Sequence, residues 1–101
     1  MMYLAADFCL EMVPQGSVVN IQELSLPQAK ALSKGAMSAV ADERKARVLR
    51  SVLGQPVEQN REKLELKIGD EVVLVSAELM VPKVCEHPKA TRFRCFLAKV
   101  Y

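Results

Sequence analysis

Residues 72–75 read Val-Val-Leu-Val, one residue after the pair Gly69-Asp70. A run this short carries no helical period, and its β-branched side chains favour extended backbone. A strand that is apolar on both faces belongs in the middle of a sheet. Upstream, Leu64 and Leu66 alternate with charged residues, so 63–79 is predicted to be a strand, a Gly69-Asp70 turn and a second strand. The chain must then supply layers to cover that central strand.

The remaining segments supply them. Residues 2–8 open as a short apolar strand, and 16–24, following Pro14 and Gly16, carry Val18, Val19 and Ile21 as a second. Residues 25–40 have a capping serine, Ser25, with Pro27 near the first turn and Ala29, Leu32, Ala36 and Ala39 at helical spacing; Gly35 marks a possible split. A second helix over about 43–53 places Ala46, Leu49, Val52 and Leu53 on one stripe, with Gly54 and Pro56 at its end. The segment 92–100 alternates apolar residues and closes the sheet. The expected fold is α/β, a single domain over 1–101, with a mixed sheet of about five strands and helices mainly on one face. With 101 residues, 50% of them hydrophobic, the chain has material for one core and little for a second.

Composition excludes several function classes. The net charge of +2 argues against a duplex nucleic-acid partner, so any basic site is local. The first residues lack a basic n-region and no apolar stretch reaches the roughly 20 residues a membrane span needs, which predicts a cytoplasmic protein without membrane attachment. Cys9, Cys85 and Cys95 form no C-x-x-C pair and are read as free thiols. His87, the only histidine, follows Cys85 and Glu86, too few ligands for a metal site, and no phosphate-binding glycine loop is present.

What remains is basic and local. Asp42 stands as the N-cap of the second helix, and Arg44, Arg47 and Arg50 follow on its outer side. Asn60-Arg61 lies at an element boundary, where a guanidinium can fork onto a phosphate.

Taken together, the opening segment "MYLAADFCLEMVPQGSVVNIQEL", the stretch "SAVADERKARVLRSVLGQPVEQNR" and the pair "LELKIGDEVVLV" resemble a family of small proteins of archaeal viruses, phages and mobile elements that includes the viral ring nucleases acting as type III anti-CRISPRs. The resemblance covers nearly all of 2–77 and resumes at "RFRCFLAKV". It implies a homodimer that holds cyclic tetra-adenylate, a cyclic oligonucleotide, in a cleft across its two-fold axis. It implies no cofactor and a metal-independent scission, in which a ribose 2′-hydroxyl attacks the neighbouring phosphorus and a histidine protonates the leaving oxygen. Arg61 matches the family's phosphate-touching arginine after Asn60, and Cys9 matches the polar residue after the opening Phe8. Phe8, Cys9, Asn60, Arg61, Arg44 and Arg47 are thus the expected ligand-binding set.

The resemblance places the family's catalytic histidine on Asp42. A carboxylate of ordinary pKa is a poor proton donor at neutral pH, and its charge opposes a phosphate. The family's further arginine and glutamate fall in "ELMVPKVCEHPKAT", which is shorter and offers no clear match. The expectation is a binder of a cyclic oligoadenylate-type messenger whose cleavage is weak, altered or absent. Two alternatives stay open: a non-enzymatic module for a protein or DNA partner, and an active enzyme using Asp42, or a relocated His87, as acid or base.

Overall fold

The computed structural model describes residues 1–80 and 89–101. Its centre is β4 (Glu71–Met80), which contains the Val-Val-Leu-Val run. The run is central because β4 is paired on both sides, parallel to β1 (Met2–Ala5) and antiparallel to β5 (Lys89–Val100). The sheet is completed by β2 (Val19–Leu24), antiparallel to β5, and by β3 (Met37–Ser38), parallel to β1. The order across the sheet is β2-β5-β4-β1-β3, mixed and five-stranded as expected.

Alternation along β4 sends side chains to two covered faces. On one face Val73 and Val75 meet Leu4 and Cys95, and above them lie Ala29 of α1 (Leu26–Ser33) and Ala46, Leu49 and Leu53 of α2 (Glu43–Leu53). Both helices therefore cover the same face. On the other, Val72 and Leu74 meet Ala5, Ala98 and Val100 and are covered by Phe8, Val13, Leu64 and Leu66 from irregular chain and by Met12 from a short 3-10 turn, Leu10–Met12.

Two segments depart from the expectation. Residues 63–68 form no strand; they cross the second face as extended chain, with the Leu66 N–H donating to the Met12 carbonyl at 2.7 Å. Leu64 and Leu66 point inward while their charged neighbours face water, so a covering strap writes the same alternation as a strand. The helix expected over 25–40 stops at Ser33. Ser25 caps it as read, in a reciprocal arrangement with Gln28. Gly35, at φ 81°, then turns the chain into β3, where Met37 and Ser38 pair with Tyr3 and Leu4. The fifth strand comes from here and not from 63–68. The strand expected over 2–8 ends at Ala5, and residues 6–9 leave the sheet as loop.

Candidate functional site

The second helix begins and ends as its sequence dictates. Asp42 has extended backbone, and its carboxylate accepts the Arg44 N–H at 2.8 Å. That bond holds the Asp42 carboxyl below its ordinary pKa, helped by the Arg44 guanidinium at 3.6 Å and the Lys45 N–H and opposed by partial desolvation. At the other end Gly54 is left-handed, φ 64°, and its N–H donates to the Arg50 carbonyl at 2.9 Å.

The acidic first turn has two separate partners. Glu43 pairs with the Arg50 guanidinium at 2.6 Å, two turns along the helix. The same guanidinium donates through Nε to the Val57 carbonyl at 2.7 Å. Arg50 thereby ties the helix to the segment that follows it, a role its place in a basic stripe does not announce.

That segment runs beside the outer edge of β3. Ser38 Oγ donates to the Glu58 carbonyl, Gln59 Nε2 donates to the Ala41 carbonyl at 2.8 Å, and Val40 and Gln59 form a parallel bridge. Asn60 makes three contacts there. Its N–H donates to the Val40 carbonyl at 2.8 Å, its Nδ2 to the Ser38 carbonyl at 2.9 Å, and its Oδ1 accepts the Glu62 N–H at 3.0 Å. Both ends of the amide are engaged within the chain, so Asn60 acts here as the clasp that fixes the backbone of Arg61, which is exposed. Two hollows flank this clasp and share Met37, Ser38 and Asn60. One, of about 450 Å³, opens toward Pro56 and Gln59; the other, of about 270 Å³, opens toward Tyr3, Lys63 and Leu64.

The other expected residues disperse around the carboxyl end of β1. Phe8 is half-buried against the core on the face away from the helices, and Cys9 is exposed, its N–H directed to Met12 Sδ at 3.3 Å. Arg44 and Arg47 are exposed on the outer side of α2. A residue the sequence reading passed over lies nearer the sheet: Lys45 Nζ meets Asp7 Oδ2 at 2.7 Å, beside a small hollow lined by Ala6, Leu49, Val75 and Ser76. No local spacing announces that pair, since its members are 38 residues apart. Crevices at the carboxyl ends of parallel strands, next to a helix N-terminus, are where open α/β sheets take ligands. His87 and Cys85 lie outside the described residues. Among the described residues no group of three or more His, Cys, Asp or Glu is placed to hold a metal ion, and no helix is long and apolar enough to cross a membrane.

No curated protein sequence matches the chain. Among solved structures, B116 of Sulfolobus turreted icosahedral virus (STIV) superposes with a TM-score of 0.79 over 97% of each chain at 12% identity, a likeness of fold. The family profile described as STIV B116-like matches residues 2–83, from the first strand past the end of β4, and the chain belongs to that family.

Proposed function

We propose that this chain is a B116-like protein of viral or mobile-element origin, acting in the host cytoplasm as a homodimer. It binds a cyclic oligoadenylate-type messenger, cyclic tetra-adenylate foremost, and so modulates type III CRISPR signalling. Cleavage of the ring is weak, altered or absent. The observation that carries this reading is the clasp at Asn60, whose amide is held at both ends within the chain and leaves the exposed Arg61 on a fixed backbone. A guanidinium fixed this way meets a ring phosphate with little further ordering cost.

Asp42 supports binding over turnover. Its carboxylate is engaged by the Arg44 N–H and held below the ordinary range, so it carries no proton to give to a leaving oxygen at neutral pH. Arg44 and Arg47 add positive charge close to this end of α2. Asn60 lines both hollows and positions Arg61 beside the ligand.

Calorimetry with cyclic tetra-adenylate tests the reading. The expected result is one ring bound per two chains, with Arg61→Ala weakening binding roughly 10- to 100-fold, the worth of a charge-assisted hydrogen bond. Labelled ring recovered intact after incubation with the protein completes the expectation. Absence of binding to a panel of cyclic oligoadenylates and cyclic dinucleotides would overturn it.

A further inference from the structure

Arg44, Lys45 and Arg47 all stand in the first two turns of α2. The helix dipole disfavours cations there and favours anions, so these side chains look for negative charge beyond the helix backbone. The acidic residues that open the helix go to arginines of the helix itself: Asp42 lies 3.6 Å from the Arg44 guanidinium and Glu43 2.6 Å from that of Arg50. Lys45 is placed differently. Its ammonium turns toward the loop that follows β1 and meets the Asp7 carboxylate at 2.7 Å. The Lys45 side chain is 31% exposed against 62% for Arg44, so the lysine lies along the crevice and the arginine outside it.

That crevice is the carboxyl end of the parallel strands. β1 pairs with β4 as far as Ala5 opposite Leu74, and the hollow beside Lys45 is lined by the next residues of each, Ala6 and Asp7 on one and Val75 and Ser76 on the other. The Asn60 N–H is bound to the Val40 carbonyl, two residues before Asp42, so Arg61 comes to the same end of the sheet from its β3 border. Lys45 and Arg61 thus approach the start of α2 from two sides. Asp7 holds Lys45 only loosely: its side chain is 75% exposed, on chain that has left the sheet. An ion pair so open to water adds little stability. An ammonium is a point charge with three rotatable donors, so it can turn from a carboxylate to a phosphate oxygen without repacking.

We infer that Lys45 binds a phosphate of the ligand and that Asp7 is the anion it releases to do so. The inference rests on the ligand-binding reading given above, and adds to it a phosphate contact besides Arg61 and a competitor carried by the chain itself. Two charges in contact then act on affinity with opposite signs. Lys45 raises it by pairing with the phosphate; Asp7 lowers it, because it must be displaced and because its charge opposes the ligand. A pair that only fastened the loop to α2 would behave otherwise. Loss of either member would then loosen the chain that carries Phe8 and Cys9, and both losses would weaken binding.

Calorimetry with cyclic tetra-adenylate separates the two. Lys45→Gln is expected to weaken binding roughly tenfold and Asp7→Asn to tighten it roughly three- to tenfold. Both variants should melt close to the wild type, since the pair is exposed. Lys45→Gln should also flatten the dependence of log Kd on log salt by about 0.7, the share of one phosphate contact on a single strand. In the wild type, the Lys45 side-chain NMR resonances are expected to move on titration with inorganic phosphate, while those of Lys99, packed 5.4 Å from the Tyr101 ring, stay in place. Lys45 resonances that do not move, or two variants that shift affinity in the same direction or not at all, would remove the inference and leave ring binding by the wild type standing. If no ring binds, the ligand-binding reading falls, and the phosphate titration decides the role of Lys45 alone.

Discussion

Asp42 does two things at once: it starts α2 and it fixes the sign of charge at the helix N-terminus. Its carboxyl titrates below the ordinary range, chiefly because the Arg44 N–H prefers the ionised form. A carboxylate with a depressed pKa stabilises the fold above the unfolded value, and that stabilisation is lost as pH falls through the folded one. Asp42→Ala is therefore expected to lower Tm at pH 7 and pH 5, with the gap to the wild type closing below about pH 4, as followed by differential scanning calorimetry. Asn caps a helix as well as Asp, so Asp42→Asn should melt close to the wild type across the range and bind an anionic ring more tightly. The cap itself was legible in the sequence, because an Asp before a helical stripe has a local meaning. The roles of Arg50 and Lys45 were not, because each depends on a partner set by the fold: the carbonyl of Val57 for Arg50, and Asp7 for Lys45.

At the scale of elements, what could be read was what local chemistry writes. Helix α2 spans the residues its stripe predicts, with the addition of a buried Val48. Gly54 ends it in a left-handed conformation, and a Cβ placed there would meet only the Lys30 Nζ at 3.6 Å, an ordinary contact. Gly54→Ala should then cost about 1 kcal/mol, almost all of it backbone conformation, measured by urea denaturation. A cost near zero would mean that the helix end relaxes into another cap. The two misread segments share a cause. Alternation at Leu64 and Leu66 reports one dry side and one wet side, which a strap over a sheet and a strand within it both have. Ala36 and Ala39 keep the spacing of α1, but the chain gains more by pairing Met37 and Ser38 with β1 than by continuing a helix through Gly35.

For the molecule as a whole, the order β2-β5-β4-β1-β3 places the most apolar strand between two partners and gives it cover on both faces. Amide exchange should follow that order. The amides of Val72 to Val75 are expected to exchange only through global unfolding, and those of the two-residue β3 through cheaper local opening. Equal protection of the two strands, read by NMR or mass spectrometry, would contradict the layering described. The Asn60 amide on the Ser38 carbonyl has a consequence at this scale. A sheet with two open borders can be extended by copy after copy into a fibre. Here the Asn60 amide and the segment that carries it finish the border at β3, so growth of that kind is denied one of the two borders it needs.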